Sequence, residues 1–474
     1  MKNGSTLFAA AWLSVAAVAP AQAGTNALDA TFGSGGFVAL EPAPSTGYVL
    51  ELRSLAIDSD GSIVVGGRVG AAAAVGKLHG DGSWDPTFAD HGVYVLPVAA
   101  ASAPNGGEIH NIVILSDHSI VATGGAYVNF AADFATCTLM LKLTSTGALD
   151  ANFAPDQSGS FCFDFAANTN SYTWFRHNEG FVAGADDSLY LTTPSTNLSH
   201  GAVGHFDSDG TLIGSFGNNG IASLPEAVVA TRLQLTGDNQ ILTMGAINNA
   251  TSIAVVRLDV TGQIDDAYGS SGMVTFDAQP GGLVSPSQAL LDAQQRLVIA
   301  DNDDESGVGF VPNRFARVTT DGKLDESFNG SGQQPGIPGF ATPALGATNY
   351  FNGLEVALPL VDGHVLGVGD AGYVAEGDGE NNLALVRLAG DASFDASFGD
   401  SSHPGWSSLN IGGGANGFTR VRGTASDARS GQVFVAIEAG EGNLHGCAGI
   451  LRLIPDRLFD DRFDAAPSMP SCPQ

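Results

Sequence analysis

Short apolar runs separated by turns rich in Gly and Asp fill the chain, and helical spacing of apolar positions is scarce. After residue 35 the runs come in a clear order. Gly36 to Leu40 is short and apolar, and Val49 to Ile57 alternates loosely up to the turn Asp58-Ser59-Asp60-Gly61. Ser62 to Gly67 is β-branched, and Ala73 to Leu78 leads into Gly80-Asp81-Gly82. Apolar runs bounded in this way predict four short strands of an antiparallel sheet. The third run returns at Ser119 to Gly125, Ser188 to Thr193, Gln240 to Gly245, Arg296 to Ala300, His364 to Gly369 and Gln432 to Ala436. These copies are apolar at consecutive positions, whereas a sheet with one wet face would alternate. Each sheet is therefore expected to be covered on both sides.

A phrase of an apolar residue, Asp, two variable residues and an aromatic punctuates the runs. Its aromatics are Phe32, Phe88, Phe153, Phe216, Tyr268, Phe328, Phe398 and Phe463, spaced by 52 to 70 residues. Eight phrases bound seven units of about sixty residues, and a period of this size marks a repeat architecture. Seven four-stranded sheets, each sandwiched between neighbours, predict an all-β fold, a seven-bladed β-propeller. A β-helix has shorter repeats, and units of this length bury too little surface to stand alone as separate sandwiches. Residues 24–463 are read as one propeller domain whose first and last segments meet, followed by a tail, 464–474.

The run Ala27-Leu28-Asp29-Ala30-Thr31-Phe32-Gly33-Ser34-Gly35-Gly36, with Asp60 to Gly67 behind it, resembles the delta-60 repeat of bacterial secreted and surface proteins. The resemblance extends over nearly all of the chain after the leader. It implies a propeller-like β architecture and carries no reaction or ligand with it.

The fourth run of each unit holds a basic residue eight positions before the Asp of the phrase: Lys77, Lys142, His205, Arg257, Arg317, Arg387 and Arg452. The unit with His205 is also the one with Ile213 where the others have Asp. The two positions change together, which points to an ion pair inside each unit: Lys77 with Asp85, Lys142 with Asp150, Arg257 with Asp265, Arg317 with Asp325, Arg387 with Asp395 and Arg452 with Asp460. A cation in a strand packed on both faces needs such a partner, because an uncompensated buried charge costs several kcal/mol. A ring of cations binding an anion is the competing reading, and paired cations weaken it.

Cys137 and Cys447 each lie five residues before the basic position of their unit, and Cys162 and Cys472 nine after the phrase aromatic. That register predicts the disulfides Cys137–Cys162 and Cys447–Cys472. Residues 1–23 read as an export leader, with Lys2, an apolar stretch from Leu7 to Val18 and the small-residue site Ala21-Gln22-Ala23. The protein is accordingly expected in the periplasm or outside the cell, where disulfides persist. The apolar stretch is too short to span a bilayer. The formal net charge of −30 disfavours nucleic acid and anionic lipid as partners. A monomer with a protein or glycan ligand is the expectation.

Candidate chemistry is sparse. Asp301, Asp303, Asp304 and Glu305 crowd one loop that would suit Ca²⁺ in part, but the full calcium-loop spacing is absent, and a solvated acidic loop is the plainer account. No cofactor is otherwise implied. Tyr172, Trp174, Phe175, Arg176 and His177 form an aromatic and basic loop that could stack on a sugar or receive a peptide, ring packing beneath a degenerate blade is the plainer account, and Trp406 is a similar but weaker case. No nucleophile elbow, phosphate loop or metalloprotease helix is present, so no catalytic residue is assigned. The reading is an exported binding or scaffold propeller acting through loops at one rim. A propeller hydrolase or lyase acting on extracellular glycans is the alternative, and three or more unpaired carboxylates in the channel would favour it.

Overall fold

The computed structural model describes residues 28–40, 50–98, 106–129, 134–163, 180–193, 201–225, 228–247, 252–277, 285–302, 314–329, 339–341, 349–373, 381–400, 403–409, 417–427, 429–441 and 447–453. Among them there is no helix, and none long and apolar enough to cross a membrane. Seven four-stranded antiparallel blades stand in a ring. Blade 1 runs outward through Glu51–Ile57, Ile63–Val69, Ala72–Leu78 and Val93–Val95. Blade 2 is Gly107–Ile114, Ile120–Asn129, Phe134–Leu143 and Ser160–Phe163, and blade 3 is Phe181–Ala183, Leu189–Thr193, Ala202–Phe206 and Ile221–Ser223. Blade 4 comprises Val229–Leu235, Ile241–Ile247, Ser252–Leu258 and Met273–Asp277. Blade 5 comprises Ser285–Leu291, Leu297–Asn302, Arg314–Val318 and Phe340–Ala341. Blade 6 is built from Asn349–Pro359, Val365–Tyr373, Asn381–Leu388 and Trp406–Leu409.

Blade 7 shows how the ring closes. Its three inner strands are Gly417–Ser426, Val433–Glu441 and Cys447–Leu453, and its outermost strand is Phe37–Ala39 from the other end of the chain. Phe37 pairs with Leu451 and Ala39 with Gly449. The run Gly36 to Leu40, read from sequence as the first strand of unit one, thus belongs to the last blade. Blades and sequence units are out of phase by one strand, because the strand that follows each phrase is the outer edge of the blade before it.

Apolar clusters lie between successive blades, which is why the second and third strands are apolar on both faces. One cluster combines Ile63, Val65 and Leu78 of blade 1 with Phe434, Ala436 and Ile450 of blade 7, another Val298 and Phe315 of blade 5 with Val386 and Leu388 of blade 6. Burial of Val, Leu and Phe side chains contributes roughly 1.5–3 kcal/mol each relative to exposure.

The phrases sit at these interfaces. In each phrase among the described residues, the apolar residue bridges back to the end of the third strand, as Leu78 with Trp84 and Val318 with Leu324. The Asp carboxylate then accepts the amide two residues on, Thr87 to Asp85 at 2.9 Å and Ser327 to Asp325 at 3.1 Å, the local turn chemistry that suits Asp. The aromatic is fully buried against the next blade. A Cβ on Gly210 would come within 2.9 Å of Phe153 and one on Gly262 within 3.0 Å of Phe216, so these glycines of the receiving turns make room for the ring.

The turns joining first to second strands and those joining third to fourth emerge on one face of the ring. The first set is short and is stitched from blade to blade. His118 reaches Asp58 at 2.8 Å, Asp187 accepts the amide of Ser116 at 2.9 Å, and Gln295 accepts that of Gly237 at 2.7 Å. The three residues that supply these side chains, His118, Asp187 and Gln295, all have positive φ. The opposite face receives the connections between second and third strands and between blades, whose lengths vary along the sequence.

Candidate functional site

The basic position of each third strand is the first polar feature built by this fold. Arg317 donates from Nε to Asp325 at 2.8 Å, lies 4.5 Å over the Phe328 ring, and its side chain is 2 % exposed. Arg257 meets Asp265 at 2.8 Å and stacks at 4.6 Å on Tyr268. Lys142 is 3.5 Å from Asp150, and Arg387 is 3.4 Å from Asp395 while also pairing with Asp362. Burial would raise the Asp325 carboxyl, but hydrogen bonds from Ser327 and Arg317 hold it below the usual carboxylate range.

Two positions depart from the expected pairing. The ion-pair partner of Lys77 is Asp58, at 3.7 Å, in the turn of its own blade rather than Asp85 in the phrase. Arg452 pairs with Asp29 at 2.8 Å and stacks at 4.7 Å on Phe32. The first phrase of the chain therefore fills the place that spacing assigned to Asp460, since Asp29 donates its amide to the Arg452 carbonyl as the N-terminal strand closes blade 7. Asp460 itself lies outside the described residues.

These cations also reach the following blade. Lys142 Nζ donates to the Ser208 carbonyl at 3.0 Å, Arg257 to that of Thr320 at 2.7 Å and Arg452 to that of Gly80 at 2.8 Å. His205 cannot. It is buried, stacked at 4.0 Å on Tyr190, and neither ring nitrogen has a hydrogen-bond partner. Burial holds its pKa below the ordinary imidazole value, opposed only by the charge of Asp186. Blade 3 keeps the backbone link, Ile213 amide to His205 carbonyl at 2.9 Å, without the charges. With their charges engaged in this way, the basic positions act as interblade staples.

Of the other sequence candidates, Cys137–Cys162 is a disulfide joining the outer two strands of blade 2, whereas Cys472 and so the second pairing lie outside the described residues. Trp406 does not present a ligand surface: it is 7 % exposed, in the outer strand of blade 6, packed with Phe315, Phe328 and Val386. Spacing alone does not show that Trp406–Leu409 is an outer strand. Tyr172, Trp174, Phe175, Arg176, His177, Asp303, Asp304 and Glu305 fall outside the described residues, and Asp301 is described only as part of a strand. Asp58, Asp60 and His118 bring possible metal-ligating atoms within 4.8 Å of one another. Lys77 already faces Asp58, and Arg429 binds the Ser59 carbonyl beside them, so the cluster is supplied with cations.

A second polar feature lies on the innermost strands. Six of them carry a β-bulge at one level, five residues before the turn that ends the strand. The bulged residues are Arg53, His110, Thr231, Ser287, Glu355 and Arg422. Neighbouring innermost strands touch around the ring, so these positions form one layer lining its centre. Bulges re-aim side chains and cluster beside functional sites. Across blades 7, 1 and 2 the layer is charged. Glu108, 1 % exposed, accepts from Arg53 at 2.7 Å and lies 3.1 Å from His110 and 3.5 Å from Arg68. Burial would raise its carboxyl, but the His110 and Arg53 contacts hold it well below the usual range. Arg68 also binds Glu51 at 2.7 Å, and Arg422 binds Glu438. Across the ring, burial lowers Arg232 to about 10, opposed by the charge of Glu355. The sequence held a signal for this layer, a polar residue at a fixed offset before each turn, concealed by the loose alternation of the first strands.

Fold and site together define a seven-bladed β-propeller closed by its N-terminal strand, with a charged layer on its inner strands. A family described as a domain of unknown function (DUF5122) beta-propeller matches residues 362–398. That stretch holds the second and third strands of blade 6, with Arg387, Asp395 and Phe398. No curated protein matches the chain. Among solved structures, a protein of unknown function from Bacteroides caccae is 14 % identical, covering 59 % of this chain and 81 % of its own, with a TM-score of 0.35. A PL25 ulvan lyase bound to -[GlcA(1-4)Rha3S]- is 11 % identical over 90 % of this chain and 94 % of its own, TM-score 0.46. YCF48 bound to a D1 peptide is 10 % identical over 90 % and 97 %, TM-score 0.46. At these scores the likenesses carry no argument about ligand or reaction.

Proposed function

We propose that the protein is an exported β-propeller of the delta-60 repeat type that acts as a binding module, taking its ligand at the face opposite the stitched turns. The observation that carries this reading is the state of the inner-layer carboxylates. Glu51, Glu108 and Glu438 each lie against a guanidinium group, and acid–base catalysis on a glycan calls for a carboxyl free to exchange its proton. The leader-like residues 1–23 and the disulfide fit an oxidising compartment. The test presents the purified mature chain to an immobilised panel of extracellular glycans and assays the same glycans for new chain ends. Retention without cleavage is expected, and cleavage would replace this reading with a propeller hydrolase or lyase.

A further inference from the structure

The bulges of blades 7 and 1 are immediate neighbours. A Cβ on Gly423 would lie 3.4 Å from the Ser54 Cα and 3.6 Å from the Arg53 carbonyl oxygen, so the two bulged backbones lie against each other. Arg422 and Arg53 therefore stand side by side, two like charges on adjacent strands. Each is gripped by a carboxylate. Arg53 donates from Nε to Glu108 at 2.7 Å and from Nη1 to the Leu52 carbonyl at 3.1 Å, while its Nη2 comes no nearer than 3.8 Å to Glu51. Arg422 donates from Nε and Nη2 to one oxygen of Glu438. Among the described residues, Nη2 of Arg53 and Nη1 of Arg422 have no hydrogen-bond acceptor, on side chains 21 % and 25 % exposed.

Other charged groups gather around them. The guanidinium groups of Arg53, Arg68, Arg420 and Arg422 face the carboxylates of Glu51, Glu108 and Glu438. We propose that the channel mouth between blades 7 and 1 binds a single carboxylate of the ligand, held between Arg53 and Arg422. A planar carboxylate accepts two parallel N–H bonds from a guanidinium fork. Glu108 and Glu438 hold the forks in place from the other side. The inference rests on the binding reading above and adds the class of ligand.

The experiment uses the full mature chain and follows its thermal midpoint and calorimetric binding with sodium glucuronate, methyl glucoside as the neutral counterpart, and sodium sulfate. Glucuronate is expected to raise the midpoint saturably, and methyl glucoside to leave it unchanged. Arg422→Gln is expected to weaken glucuronate binding at least ten-fold, and Arg422→Lys, which keeps the charge but loses the fork, to weaken it less. Unliganded midpoints of both variants are recorded alongside. A lowered unliganded midpoint with the glucuronate shift intact would make Arg422 merely structural and overturn the site. A response to sulfate without one to glucuronate would overturn the ligand class. Retention of a neutral glycan in the immobilised panel with no glucuronate response would overturn the site while leaving the binding reading in place.

Discussion

Blades 5 and 3 solve the same structural problem with opposite chemistry. In blade 5 a buried Arg317 is satisfied by Asp325, Ser327 and the face of Phe328. In blade 3 the same place holds His205, packed between Tyr190 and Phe216 with no hydrogen bond from its ring, and Ile213 replaces the carboxylate. The backbone link is the same in both, Asp325 amide to Arg317 carbonyl and Ile213 amide to His205 carbonyl. The fold therefore requires the backbone bond and a filled volume, and charge is acceptable there only as a complete pair. Blade 3 also lacks the reach to the next blade that Lys142, Arg257 and Arg452 supply.

The comparison can be broken most forcefully in blade 5. Asp325→Ala leaves Arg317, and with it Arg296 at 3.1 Å, without their shared carboxylate. Removing one partner of a buried pair costs about 3–5 kcal/mol, and denaturant titration is expected to show a loss of that size. The reciprocal change in blade 3 sharpens the contrast. His205→Arg alone is expected to destabilise by several kcal/mol through a buried unpaired charge. Adding Ile213→Asp should restore most of that loss, and a double variant no more stable than the single one would mean that the staple does not transfer.

The smallest effect is acid sensitivity. His205 titrates below its ordinary value because burial disfavours its charged form. Below the unfolded value of about 6.5 the unfolded chain binds a proton that the native state does not. Stability from this residue is thus complete above that pH and falls as the pH drops from about 6.5 toward the lowered native value, by at most about 1.4 kcal/mol per pH unit. Urea midpoints between pH 7 and 5 should fall in the wild type and fall less in the His205→Arg/Ile213→Asp double variant. Equal slopes would remove His205 as the cause.

Much of the propeller was legible in the chain. The periodic aromatics, from Phe32 to Phe398, number the blades because each must fill a fully buried place between two of them. The alternation of charged and neutral pairs marked blade 3 because a lone buried charge is too costly to keep. The candidate site was less legible. Arg53, His110 and Arg422 come together because strands far apart in sequence bulge at one level, and a bulge leaves no composition signal of its own. Trp406 read as a weak candidate for ligand stacking with packing as its alternative, and the pairing of Trp406 with Val386 in an outer strand showed that it covers the core.

The sequence by itself determined the repeat, the blade count, the sandwiching of each sheet and the Cys137–Cys162 pairing, since these follow from local patterns and fixed offsets that every copy repeats. Tertiary structure alone decided that Phe37–Ala39 completes the last blade, that Arg452 takes Asp29 as its partner, and that the bulges of three neighbouring inner strands bring their charges to one level. Those outcomes depend on which distant segments meet when the ring closes. Closure is a property of the whole circle, and no single repeat encodes it.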